Sequence, residues 1–255
     1  MIETIYRLSC PFSLALLADF HNGDPYPILH SLERNRPEVI TIAGDLVFDD
    51  NPGPKEYALL CGCAGIAPTF VSIGNHEWLL TAEDLEKIDT SGVILLHDRW
   101  TRYRNTVIGG LSSAYYTAYQ AVRAAHPEAG DYPIPMRKLR RRRLYPAVDW
   151  LDDFERQDGY RILLCHHPEY YPQYLKGRPI DLILAGHAHG GQWRFRLPFS
   201  QKSFGIFAPG QGLFPRLTSG VKDGRMVISR GLSTPIRIQR INNEPEIVYI
   251  RPENG

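Results

Sequence analysis

Cysteine is scarce in this 255-residue chain, with only Cys10, Cys61, Cys63 and Cys165. So few in so long a chain cannot make a disulfide scaffold. Cys61 and Cys63 lie in the apolar stretch YALLCGCAGI, where they read as buried small hydrophobes rather than metal ligands. Excess charge of one sign is also missing. Lys and Arg number 29 against 28 Asp and Glu, so nothing global selects for nucleic acid, and any anion preference must come from local chemistry. Long hydrophobic runs are absent: no segment reaches the ~18 consecutive apolar residues of a membrane span. The run FSLALLA (12–18) is too short for a signal-peptide core, lacks a cleavage pattern and leads straight into Asp19 and His21. The expected compartment is therefore the cytoplasm, which is compatible with peripheral membrane contact.

What is present suits one α/β domain over 1–255, since a chain of this length buries a core unaided. Five short apolar runs read as buried strands: FSLALLA (12–18), EVITIAG (38–44), PTFVSIG (68–74), YRILLC (160–165) and DLILAG (181–186). Helices are predicted over 27–35, 55–66 and 81–89, the last opened by Thr81 with Asp84 three residues on. Residues 115–159 carry two further predicted helices, 116–125 and 147–157, around a proline-rich break and a basic run. This stretch reads as an insertion, and as a lid over the site. From Gly191 the tail is rich in Gly and Pro, and MVISRG and EIVYIRP suggest strands and hairpins of a second sheet.

Each buried run ends on groups that can hold a metal. The first leads to Asp19 and His21, the second to Asp45, the third to Asn75 and His76, the fourth to His166 and His167, and the fifth to His187 and His189. Side chains at the carboxyl ends of sheet strands converge on one crevice. Asp19 and His21, two apart, share one side of an extended chain end. Gly44, Gly74 and Gly186 precede ligand candidates and permit tight turns or positive φ. Carboxylates, imidazoles and an Asn carbonyl together are too nitrogen-rich for calcium and suit Mn²⁺, Fe or Zn²⁺, Mn²⁺ first. There are too many ligands for one tetrahedral site. Two ions ~3.5–4 Å apart, bridged by an aspartate such as Asp45, would clamp attacking and leaving oxygens and make hydroxide available at neutral pH.

In order and completeness, DFH (19–21), GD (44–45), GNHE (74–77), the His of HHP (166–168) and GHAH (186–189) resemble the motif series of calcineurin-like metallophosphoesterases. The tail segments GHAHGGQ, FAPGQGLFPRLTSG, SRGL and RINNEPEIVYI are similar to a bacterial subgroup with phosphodiesterase-like and lipid-nucleotide pyrophosphohydrolase-like members. The resemblance implies a four-layer α/β/β/α sandwich with two mixed sheets. It implies one ion on Asp19, His21, Asp45 and His189, and another on Asp45, Asn75, His166 and His187. His166 is taken over His167 on the pattern His-x-Pro. His76 is then no ligand but the general acid, or transition-state donor, at the leaving oxygen. Phe20 stands where the family usually has Leu, and its side chain is expected to face away from the site.

Other polar groups receive plainer readings. His30, His97, His126 and His167 are surface or supporting groups, Glu77 a structural partner, and Asp49 and Asp50 a solvated loop. The run Arg137, Lys138, Arg140, Arg141, Arg142 and Arg143 reads as a solvated face or mobile loop, against a grip on an anionic substrate. The expected activity is hydrolysis of a small-molecule or lipid-linked phosphate ester, with phosphodiesterase ranked first. A lipid-linked nucleotide pyrophosphohydrolase or a phosphomonoesterase comes next, and a nuclease after that. A non-catalytic scaffold of the same fold is disfavoured because none of the eight groups is missing.

Overall fold

The computed structural model describes residues 1–48, 51–126, 144–196, 203–233 and 239–253. The basic run from Arg137 to Arg143, Asp49 and Asp50 lie outside them. The first half alternates strand and helix: β1 (Ile2–Leu8), β2 (Leu14–Leu17), α1 (Tyr26–Asn35), β3 (Val39–Ala43), α2 (Pro54–Ile66), β4 (Thr69–Ser72), α3 (Ala82–Thr90) and β5 (Ile94–Leu96). There follow β6 (Arg99–Tyr103), β7 (Thr106–Leu111), α4 (Ala114–Ala125), α5 (Leu151–Arg156), β8 (Tyr160–Cys165) and β9 (Leu182–Ala185). The last part is short strands: β10 (Arg194–Arg196), β11 (Ser203–Gly205), β12 (Phe207–Ala208), β13 (Gly212–Leu213), β14 (Gly220–Lys222), β15 (Met226–Ile228) and β16 (Glu246–Pro252).

Two six-stranded mixed sheets result, in the orders β1-β16-β2-β3-β4-β5 and β14-β15-β9-β8-β7-β6. In the first, β2 to β5 run parallel through helical crossovers, and β16 is antiparallel to β2. In the second, β7, β8, β9 and β15 are parallel, with β6 and β14 as antiparallel edges. Strand alternation builds the layers. Leu14 and Leu16 face the second sheet, in a core with Phe70, Ile162, Leu164 and Leu184. Ala15 and Leu17 face the helices, packing with Leu32, Leu59 and Ile88. On the far side Leu151 and Phe154 of α5 cover Val107 and Leu163. This is the expected four-layer sandwich.

Local signals placed most helices well. Thr81 Oγ1 accepts the Asp84 N–H while the Asp84 carboxylate accepts that of Thr81, the reciprocal cap predicted for α3. Three expectations need correction. EIVYIRP belongs to the first sheet, inserted between β1 and β2, because strand order is set by long-range pairing. The helix predicted over 147–157 is only Leu151–Arg156. Cys63 is buried but Cys61 is exposed, since residues two apart on a helix point to different sides.

Candidate metal centre

The expected ligands emerge from the carboxyl ends of β2, β3 and β4 in one sheet and β8 and β9 in the other, so the site bridges the two sheets. Direct bonds close the gap. Nδ1–H of His166 donates to the Ala43 carbonyl at 2.7 Å, and the His187 N–H meets the Asp19 carboxylate at 3.1 Å. The chain leaves the strands through left-handed turns rather than extended ends. Asp19, His21, Asp45, His187 and His189 have φ of 54°, 46°, 56°, 64° and 45°. Non-glycine residues rarely adopt this region, and it persists where surrounding structure enforces it. Among the three glycines, Gly44 has positive φ, at 80°. Gly74 serves close approach instead: a Cβ there would lie 2.2 Å from Asp45 Oδ1.

Four groupings form among the described residues, each with ligand atoms within 4.8 Å of one another: Asp19, His21 and His189; Asp45, His166 and His187; His21, Asp45 and His76; and, beside them, His167, Glu169 and His187. His166 Nε2 lies 3.0 Å from Asp45 Oδ2 and 3.9 Å from Asp19 Oδ1. His21 Nε2 is 3.8 Å from a carboxylate oxygen of each aspartate. Nδ1–H of His21 donates to the Val47 carbonyl at 3.1 Å. Both rings thus spend Nδ1–H on a backbone carbonyl and turn an Nε2 lone pair inward, the tautomer a metal requires.

Four buried ligand atoms from four separate loops have no hydrogen-bond partner: His21 Nε2, Asp45 Oδ2, Asn75 Oδ1 and His166 Nε2. Unsatisfied buried polar atoms are costly, and a set of lone-pair donors converging on one space fits a cation. The electrostatics agree. Burial pushes the Asp19 carboxyl up to about 6. Burial opposes ionisation of Asp45 too, but His166, His76 and His21 outweigh it and hold that carboxyl well below its usual range. Burial opposes charge on His166, yet Asp45 and Asp19 push it up to about 10. Where no cation lies between them, the two buried carboxylates thus draw a proton onto Nε2, and a metal ion there would displace that proton and take the lone pair. Burial lowers His21 to about 4, and His187 and His189 well below their usual value, so these rings are neutral and ligand-ready.

His76 faces the same space but is partly exposed, with a ring centroid 4.9 Å from that of His21 and 4.8 Å from that of Phe48. Phe20 points into the helix-side core, as expected. The two rings of HHP differ in their contacts. His167 Nε2 lies 2.8 Å from Ser113 Oγ and its Nδ1 3.2 Å from Glu169 Oε1, so neither nitrogen is left for the two aspartates. His97 bonds Ser112 through Nδ1 and stacks edge-on with Tyr116.

Sequence reasoning passed over Glu169 and Asn243. Glu169 Oε1 is 3.6 Å from His187 Nε2. Burial opposes its ionisation, but His187 and His167 outweigh it and bring the carboxyl to about 2. Its place two residues after His167 was the available signal. Asn243 Nδ2 donates to the carbonyls of His189 and Gln192 at 2.7 and 3.1 Å and so holds the turn carrying His189. Glu77 was read as a structural partner, and its contacts are of that kind. It accepts backbone N–H bonds from Asp45, Leu46, Val47 and Gly74 at 3.0, 2.6, 3.3 and 2.6 Å.

A sequence model of the calcineurin-like phosphoesterases matches residues 12–191, which contain every one of these ligand candidates. The chain belongs to that family. It is thus a metallophosphoesterase, a hydrolase of phosphate esters. Relatives of this metallophosphoesterase include Bacillus subtilis YpbG, uncharacterized, 26% identical over 92% of this chain and 79% of that protein. Another is the Escherichia coli phosphodiesterase YaeI, 24% identical over 95% of this chain and 82% of that one. Among solved structures it is similar to TT1561 of Thermus thermophilus, at 12% identity and a TM-score of 0.45 over 75% of this chain and 87% of that one. No helix among the described residues is long and apolar enough to cross a membrane.

Proposed function

We propose that this metallophosphoesterase is a dinuclear phosphodiesterase. The observation that carries the two-metal reading is the set of four unpartnered ligand atoms, His21 Nε2, Asp45 Oδ2, Asn75 Oδ1 and His166 Nε2. Asp19, His21, Asp45 and His189 would hold one ion, and Asp45, Asn75, His166 and His187 the other, with Asp45 shared. Bound there, the ions supply Lewis acidity toward the phosphoryl oxygens and ionise a water at neutral pH. The rank of diester over monoester leans on the likeness to the E. coli phosphodiesterase.

The protein's own groups orient this chemistry. Asp45 Oδ1 accepts the His76 backbone N–H at 2.9 Å, which ties the general-acid candidate to the shared ligand. The His76 ring, with Nε2 3.9 Å from Asp45 Oδ2, would protonate a leaving oxygen. Near it stands α4, whose Tyr119 packs edge-on against Trp78 and whose Gln120 Nε2 donates to the carbonyls of Trp78 and Leu80. Of the described parts of 115–159, α4 would form one wall of a lid, while α5 packs on the second sheet.

The lipid-linked pyrophosphate reading keeps one specific support. An open groove of about 450 Å³ is lined by Pro172, Phe214, Pro215 and Leu217 together with the polar Glu169, Gln173, Gln211 and Arg216. It would place an acyl chain beside His187. None of the described residues in 115–159 lines this groove.

The test is reconstitution of metal-free protein with Mn²⁺. Turnover of bis-p-nitrophenyl phosphate should exceed that of p-nitrophenyl phosphate by about tenfold or more, a transition-state difference of ~1.4 kcal/mol. Mn²⁺ should also raise the unfolding temperature, because only the folded state holds the ligands together. A thermal shift without turnover of either substrate would favour the scaffold, and neither response would remove the metal reading. His76→Ala should retain both metals yet lose ~10²–10³-fold in rate. Its loss should be larger for an alkyl than for a nitrophenyl leaving group. Equal losses on both would exclude His76 as the acid.

A further inference from the structure

The hairpins that follow His189 show an inverted pattern. In β10, Arg194 points inward and is buried, donating to the Gly190 carbonyl at 2.7 Å and to Ser203 Oγ at 2.6 Å. Its neighbour Phe195 points outward. Alternation in a water-facing hairpin normally does the opposite. The outward apolar residues are moreover paired across strands. Phe195 stands opposite Phe204, with ring centroids 6.2 Å apart, and Phe207 opposite Leu213. Trp193 bridges to Ile241. Together with Phe214 these side chains are 39% to 70% exposed. They form one continuous unit, because the Ile206 N–H donates to the carbonyls of Gly191 and Trp193, and the Phe214 N–H to that of Ile206. A contiguous apolar face of this kind marks an interaction surface.

Charge decides which partner. From Leu182 to Lys222 the chain has no Asp or Glu but, besides the buried Arg194, four basic residues, Arg196, Lys202, Arg216 and Lys222. At the chain's average of 28 carboxylates in 255 residues, a stretch this long would carry about four or five. Exposed aromatic and aliphatic side chains, most of them in a stretch of sequence with basic residues and no carboxylate, match the headgroup–acyl boundary of an anionic bilayer.

We propose that the paired hairpins, through Trp193, Phe195, Phe204, Leu213 and Ile241, dock this protein on an anionic phospholipid membrane. The inference is independent of which metals the site holds or which ester it cuts. The groove beside Glu169 shares the exposed Phe214 with the docking face, so docking would bring that side of the groove to the membrane.

Sedimentation of the full-length protein with vesicles tests this. Equal parts phosphatidylglycerol and phosphatidylcholine should bind it at least about tenfold more tightly than phosphatidylcholine alone, and added salt should weaken binding. The Trp193 contribution to fluorescence should shift to shorter wavelength on the mixed vesicles. The double variant F195S/L213S should lose about tenfold or more of the binding while hydrolysing a soluble nitrophenyl diester at the unchanged rate. No preference for the mixed vesicles would overturn the proposal, as would equal binding by the variant. So would a dimer that dissociates in F195S/L213S without vesicle binding, because the face would then be covered by a second copy.

Discussion

Asp45→Ala should reduce bound metal from two ions per chain to at most one, and should lower turnover by at least ~10³-fold, on the order of 4 kcal/mol at the transition state. The expectation follows from position. Asp45 is fully buried, and its Oδ2 is 3.0 Å from His166 Nε2 and 3.8 Å from His21 Nε2. Among the described residues no other carboxylate belongs both to a grouping with His166 and to one with His21 and His76. Its removal leaves two groups of ligands without the anion they share. Because Oδ1 also anchors the His76 N–H, Asp45→Asn serves as the control for shape, keeping an acceptor while losing the charge. It should fold like the parent and still hold fewer ions. Elemental analysis after dialysis, beside a diester assay, reads both quantities. Two tightly held ions in Asp45→Ala would refute the shared-ligand assignment, whatever the rate.

Glu77→Ala should be the most destabilising single change near the site, although Glu77 is not proposed to touch metal or substrate. Its two oxygens accept four buried backbone N–H groups from the loops after β3 and β4. Each buried donor left without a partner costs ~1–3 kcal/mol. Water entering the gap would recover part of this, so a loss of roughly 4 kcal/mol is expected, against a typical total of ~5–15. For a chain of this size that corresponds to a fall of roughly 10 °C in unfolding temperature. Glu77→Gln should fall between, since it keeps one acceptor oxygen but turns an NH₂ group toward donors. Thermal unfolding of the metal-free proteins isolates the effect from metal binding. A fall below about 3 °C in the Ala variant would mean that the loops hold each other without this carboxylate.

Much of the site was legible because its chemistry is locally encoded. Buried central strands are short apolar runs, and the ligand candidates come directly after them, so Asp19, Asp45, Asn75, His166 and His187 could be read in order. The Thr81–Asp84 cap was legible for the same reason: its partners are three residues apart. The strands from β5 to β7 were not legible. β6 reads RWTRY, a half-exposed edge whose polar residues hide its strand character. β1 alternates half-buried and exposed residues and likewise carries no apolar run.

The sequence by itself determined the family, the succession of buried strands and the kinds of atom available to a cation. Only the tertiary structure decided which of His166 and His167 turns toward the aspartates. It also decided that five candidate ligand residues sit in left-handed turns, that EIVYIRP returns to the first sheet, and that Glu77 binds two loops at once. It alone turned Arg194 inward and the phenylalanines outward. The physical reason is common to all of these. Each depends on partners that the local pattern does not name, from Gly190 and Ser203 across one hairpin for Arg194 to Ala43 for His166 and Asp19 for His187, more than a hundred residues away, and no local periodicity records which carbonyl, carboxylate or strand a residue will meet.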